Sequence, residues 1–375
     1  MPAEVREDIW SGVSTLLDSY LHLSGGDRLA ILYTPDCREP AAWVATVAAE
    51  RGVHPTIVAM APIEDDELPA RLDEALHPAA VGTGRFVVLT IERHSMSHFA
   101  VLRDLQNRIG RERCDVARII GGGADFFAIG MNATPDELSG YNASILSRLR
   151  SSKRITVSTE LGTYLEIEFD HDRYTWTSNR GKLRKGSFLV LPAGEVATYP
   201  ARINGRLVAD AAFNANIYTE IDARLARSPV TVDVSDNEAV DYHCADPQVS
   251  RLIELCWSVP NARRVGELGF GTNAGVNRLV AMNSHINERV PGVHLGFGQH
   301  NQPVNLVDYF CDIHLDLIAQ GGTISSTEWL GETIDLSQPV DDGTPHPDGV
   351  NDEDIDGDCC SLSFEQCAFL ANPEG

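Results

Sequence analysis

RITVSTELGTYLEIEF, residues 154–169, decides how the chain divides. Apolar and polar residues alternate on both sides of Leu161-Gly162-Thr163, the pattern of two half-buried strands joined by a tight turn. Strands joined so closely must run antiparallel. Everything N-terminal to this hairpin has a different texture.

Upstream, strand and helix signals alternate. DRLAILYTP (27–35), HPTIVAM (54–60), RFVVLTIE (85–92) and DVARIIGGG (115–123) read as buried strands. Helical patterns over PAAWVATVAAERG (40–52), DDELPARLDEALH (65–77) and HFAVLRDLQNRIG (98–110) separate them. The order predicts an α/β N-terminal domain, a parallel sheet flanked by helices, over 1–150. Its glycine run GGGADFFAIG (121–130) has Phe126 where a dinucleotide loop needs its third glycine, and no GxxxxGK[ST] occurs. Neither motif supports a nucleotide site.

Downstream, short strands follow closely: FLVLPAGEV (188–196), ARINGRLVAD (201–210) with an Asn-Gly turn signal, and VTVDVSDNEAVDYH (230–243) with an Asp-Asn turn. A helix over PQVSRLIELC (247–256) precedes RRVGELGFGTN (263–273), GVHLGFGQHN (292–301) and FCDIHLDLIA (310–319). This predicts an α+β C-terminal domain over 151–335, followed by an acidic tail over 336–375. DEDIDGDCCSLS (352–363) imitates the start of a calcium loop but has Ser363 where the bidentate Glu belongs, so it reads as a solvated acidic segment. Cys359, Cys360 and Cys367 read as ordinary free thiols.

The totals narrow the partners. A formal charge of −24 argues against nucleic acid and anionic membranes, which reward basic surface. MPAEVREDIW carries acidic residues and no apolar run, and the eight cysteines show no CxxC spacing. Both predict a soluble cytoplasmic protein with reduced thiols.

In FCDIHLDLIA, period two puts Ile313, Leu315 and Leu317 on one side and Asp312, His314 and Asp316 on the other. Taken alone, such a row reads first as a wet strand face, because half-exposed strands alternate like this routinely. Three further places set a metal-ligating side chain beside glycine: Glu195 in LPAGEV, Glu267 in GELGFG and His294 in HLGFG. Each has a plain alternative. Glu195 can cap a turn, Glu267 can pair with Arg263 or Arg264, and His294 can donate to a core carbonyl. Together they supply two Glu, two His and one Asp, a set that suits two divalent ions about 3.5–4 Å apart.

The succession RITVSTELGTYLEIEF, LPAGEVATYPARINGRLVAD, NARRVGELGFGTNAG, INERVPGVHLGFGQHNQ and DIHLDLI resembles the thermophilic-type metallo-aminopeptidases, the aminopeptidase T/S family, over most of 150–320. The resemblance implies that Glu195, Glu267, His294, His314 and Asp316 hold two divalent ions, Zn or Co and possibly Mn. It further implies a metal-activated water, with Glu195 or Glu267 moving the proton. The substrate would be a peptide or small molecule losing an N-terminal amino acid, and the assembly a homodimer. Where that family carries a tyrosine seven residues after the first ligand histidine, this chain has Asn301, preceded by His300. Either side chain can donate to an oxyanion. The same superfamily includes 2,5-dihydroxypyridine dioxygenases, which implies an alternative: one Fe(II) on His294, His314 and Asp316.

Overall fold

A computed structural model describes residues 6–77, 82–303 and 305–352. The calcium-like stretch beyond Asp352 and Cys359, Cys360 and Cys367 lie outside the described residues. Two compact units emerge: one from residues up to Pro135 with Gly181–Ala193, the other from Asp136–Arg180 with Gly194–Asp352. No helix among the described residues is long and apolar enough to cross a membrane.

The first unit is built on a parallel sheet. Strands β1 (Arg28–Tyr33), β2 (Thr56–Ala59), β3 (Phe86–Ile91), β4 (Cys114–Ile119) and β8 (Phe188–Leu191) lie in the order β2-β1-β3-β4-β8. Ala30, Leu32, Val88, Val116 and Phe188 pack with Leu68 and Leu72 of one helix and Leu102 and Leu105 of another. The sequence grouped Phe188–Leu191 with the antiparallel strands of the second half. It pairs instead with β4, and its unbroken apolar run suits a parallel strand buried on both faces.

In the second unit, β5 (Arg154–Ser158) and β6 (Tyr164–Glu168) form the hairpin expected of residues 154–169. They sit in a seven-stranded sheet with β10 (Arg202–Ala209), β12 (Val230–Ser235), β13 (Glu238–His243), β17 (Thr323–Ser325) and β18 (Thr333–Asp335). Asp236 and Asn237 both adopt positive φ at the tight turn between β12 and β13. Asn204-Gly205 does not turn the chain; both lie inside β10, where Gly205 has φ +124° and a Cβ would meet the Tyr164 carbonyl at 2.1 Å. The glycine there answers a close backbone approach, which the dipeptide alone does not distinguish from a hairpin.

The remaining strands form a six-stranded sheet in the order β11-β16-β15-β14-β9-β7. These are β7 (Trp176–Asn179), β9 (Glu195–Thr198), β11 (Ala212–Ala215), β14 (Val265–Gly271), β15 (Gly292–Gly298) and β16 (His314–Gln320). One face carries Leu268, Phe270, Val293, Leu295, Phe297, Leu315 and Leu317, all with no exposed surface. The opposite face carries the candidate ligands. A helix the sequence reading overlooked, Pro135–Arg150, supports this sheet. Its Asn142, fully buried, donates to the Glu195 carbonyl at 2.9 Å and the Asn179 carbonyl at 3.2 Å, and accepts from Thr272 Oγ1 at 2.5 Å.

Candidate metal centre

Antiparallel register gathers the five predicted ligands on one face. Glu267 lies opposite Gly296, which lies opposite Asp316; Gly269 lies opposite His294, Gly298 opposite His314, and Gly271 opposite Glu195. Every acidic or imidazole side chain thus has a glycine as a cross-strand neighbour. The glycines make the room: a Cβ on Gly269 would lie 2.0 Å from His294 Nε2, and one on Gly296 would lie 2.8 Å from His314 Cε1 and 2.9 Å from Asp316 Oδ1. A register shift between Val265 and Glu267 marks a bulge in β14 beside Glu267, a common device for re-aiming a side chain. Glu195 starts its strand just after Gly194, whose φ of +109° and close contact with Asn273 admit no side chain.

Ligand atoms of Glu195, Glu267 and His294 lie within 4.8 Å of one another. His294 Nε2 is 2.8 Å from Glu195 Oε1 and 3.7 Å from Glu267 Oε1. Beside them, His314 Nε2 is 3.0 Å from Asp316 Oδ1. These contacts are close but not aligned as hydrogen bonds. Both nitrogens of His294, both oxygens of Asp316 and Oε1 of Glu195 are buried without a hydrogen-bond partner. Buried polar groups are nearly always satisfied, so convergent orphaned donors of this kind fit a divalent cation.

The plain alternatives for single residues do not hold. Arg264 pairs with Asp308 at 3.4 Å and lies over the Tyr309 ring, and Arg263 lies over the Trp257 ring. His294 donates to no core carbonyl. Asp312 is half-buried, and its backbone carbonyl accepts from Asn216 Nδ2 at 2.7 Å. His314 Nδ1 lies 3.0 Å from the Gln299 carbonyl, which can only accept. Nδ1 therefore carries hydrogen, and Nε2 is the nitrogen turned toward Asp316.

His300 and Asn301 sit in the loop after β15. His300 donates through Nε2 to the Tyr309 carbonyl at 3.2 Å and accepts the Gln302 amide at Nδ1 at 3.3 Å, so both ring nitrogens are engaged. Asn301 Oδ1 accepts from Gln302 Nε2 at 2.8 Å, while its buried Nδ2 has no hydrogen-bond partner.

Three participants escaped the sequence reading. Arg289, 1% exposed, has its Nη1 against Glu195 Oε2 and 3.5 Å from Glu288 Oε2. Glu288 is buried and accepts from Asn214 Nδ2, on the strand residue opposite Asp316. The segment reaches the face because Gly271 lets backbone cross it: a Cβ there would lie 2.0 Å from the Val290 carbonyl oxygen. The only sequence signal is a charged pair set among apolar residues in INERVPG, just upstream of His294.

The charges are strongly coupled. Burial opposes ionisation of Glu195, yet Arg289 and His294 hold its carboxyl down to about 2. Burial likewise opposes Asp316, which His314 holds well below the usual carboxylate range. His314 is pushed up to about 10, its burial outweighed by Asp316, and His294 is raised by Glu195 and Glu267 against its burial. Glu288 is raised by burial and by Asp316. Without metal, protons on the imidazoles compensate the carboxylates; a divalent ion must displace them.

The family described as crocagin biosynthetic protein CgnE/B matches residues 203–320, which include Glu267, Arg289, His294, His314 and Asp316 but not Glu195. No curated protein matches the chain. Among solved structures, 2,5-dihydroxypyridine dioxygenase from Pseudomonas putida KT2440 is similar at 13% identity and TM-score 0.57, over 86% of this chain and 94% of that one. AmpT from Thermus thermophilus is similar at 14% identity and TM-score 0.54, over 90% and 100%. At these identities the likeness is one of fold, an α/β region joined to antiparallel sheets, shared with an aminopeptidase T and a dioxygenase.

Proposed function

We propose that the second unit carries a metal-dependent hydrolytic centre that cleaves an amide, most simply by removing an N-terminal amino acid from a small peptide. The observation that carries this reading is the convergence of Glu195, Glu267 and His294, with buried donors lacking any hydrogen-bond partner. Glu195 Oε1, Glu267 and His294 Nε2 would hold the ion, with His314 and Asp316 beside them. A divalent ion bound there supplies Lewis-acid polarisation and an acidified water. Glu195 is committed through Oε2 to Arg289 and through Oε1 to the ion, so proton transfer falls to the oxygen of Glu267 that is not on the ion. Asn301 Nδ2 has a hydrogen left to donate to an oxyanion.

A second reading is favoured by one feature. His314 and Asp316 form a close pair on the same face as His294, the set that one Fe(II) needs for ring-cleaving oxygen chemistry on a dihydroxypyridine-like aromatic. Protein stripped with chelator and reloaded separately with zinc, cobalt, manganese and, without oxygen, Fe(II) distinguishes the two. Turnover of aminoacyl anilides or short peptides that requires metal and is lost in Glu267→Gln supports hydrolysis. Oxygen uptake with a dihydroxypyridine by the iron form alone, with no hydrolysis by any form, would overturn it.

A further inference from the structure

Arg289 is the unexplained charge in this centre. A guanidinium that is 1% exposed is costly to bury and is retained only where carboxylates surround it. Here the surroundings are Glu195, whose Oε2 it touches, and Glu288, 3.5 Å away. The other oxygen of Glu195 faces His294 at 2.8 Å. Glu195 is thus shared: one oxygen is turned to the ligand cluster and the other is committed to a fixed cation.

A carboxylate shared in this way is what bridges two ions in a two-metal site. Glu195, Glu267 and Asp316 on the sheet face, with Glu288 beside them, bring four carboxylates together, and among the described residues Arg289 is the permanent positive charge in contact with them. The loop holds the arginine firmly: Asn287 fixes Val280 from both its amide and its carbonyl, and the Asn273 amide donates to the Arg289 carbonyl. Gly271 leaves room for that backbone to lie directly over the sheet.

We propose that Arg289 is a built-in cation standing in for a second metal ion, so that the centre takes one divalent ion per chain. The inference rests on the reading that the centre binds metal at all. Arg289 is a positioning residue: it fixes Glu195 and balances its charge, and its guanidinium excludes a second ion from that side.

The full-length protein, stripped with chelator, loaded with excess zinc and desalted, provides the test. Zinc per chain is measured by elemental analysis, and the zinc-induced shift in melting temperature is measured alongside. Wild type holds about one equivalent, Arg289→Lys keeps about one, and Arg289→Met rises to about two with a larger zinc-induced shift. Should Arg289→Met not fold, Arg289→Gln, which retains donors for Glu195 without the charge, carries the same comparison. Two equivalents in wild type, or a folded neutral variant that still holds one, would overturn the proposal while leaving the metal centre intact. No bound zinc in wild type would remove the metal reading and this inference with it.

Discussion

The two faces of the six-stranded sheet are made by the same strands and share one register, yet they solve opposite problems. On one, Leu268, Phe270, Leu295, Phe297, Leu315 and Leu317 fill the space completely, with no exposed surface. On the other, glycines leave the backbone bare so that two imidazoles and several carboxylates converge, at a cost in unsatisfied polar atoms. The first face is close-packed core, and the second is the one that the proposed ion would occupy. Because side chains alternate strictly, one residue of slippage would exchange the two, which is why the register has to be exact.

The sharpest test of this division is to remove one residue from each face. His294→Ala deletes the imidazole shared by both glutamates, and metal affinity should fall by well over about 100-fold, since even partners one shell further out are worth about 10–100-fold. Metal-free protein should still fold, less stable by the loss of the imidazole proton that balances Glu195 and Glu267; zinc titration followed by calorimetry checks both points. Leu317→Ala should do the reverse. A fully buried leucine replaced in a close-packed layer costs about 2–5 kcal/mol in denaturant unfolding. Zinc per folded chain should not change, and a variant that folded well but lost metal would break the comparison.

Gly296→Ala sharpens it further by adding a single methyl to the polar face. The new Cβ would press on His314 Cε1 and Asp316 Oδ1, both closer than 3.0 Å. Metal affinity should drop about 10–100-fold, in the range of misoriented ligands. Unfolding of the metal-free protein should move less than in Leu317→Ala, because alanine serves a strand better than glycine does.

How much of this was legible in sequence follows from range. The alternation of Ile313, Leu315 and Leu317 with His314 and Asp316 is a local property, so the two faces of β16 could be read directly. The hairpin at 154–169 and the Asp-Asn turn are equally local. Arg289 and Glu288 depend on a loop crossing Gly271, a contact that no period reveals. Asn142 carries no local signal of its role, yet it is buried in a helix and holds the Glu195 strand through its carbonyl. Asn142→Ala should remove three buried hydrogen bonds and destabilise the second unit by about 1–3 kcal/mol, with zinc affinity following if Glu195 shifts. Unfolding curves on metal-free and zinc-loaded protein separate the two effects.

The last effect expected is in the pH dependence of the metal-free protein, and it too belongs to the polar face. His314 has its folded pKa raised from 6.5 to about 10, with Asp316 outweighing burial, so the folded state binds its proton more tightly than the unfolded chain. That contribution is complete below about 6.5 and is lost as pH rises toward 10. Glu195 is lowered from 4.5 to about 2, so its contribution is complete above 4.5 and is lost as pH falls toward 2. Metal-free protein should therefore melt at progressively lower temperature from about pH 7 to about pH 10. His314→Gln should flatten that slope, and zinc should abolish it by replacing the proton, with zinc affinity rising over the same interval. A metal-free protein whose melting temperature held constant through this range would mean that His314 and Asp316 are not coupled as their 3.0 Å separation requires.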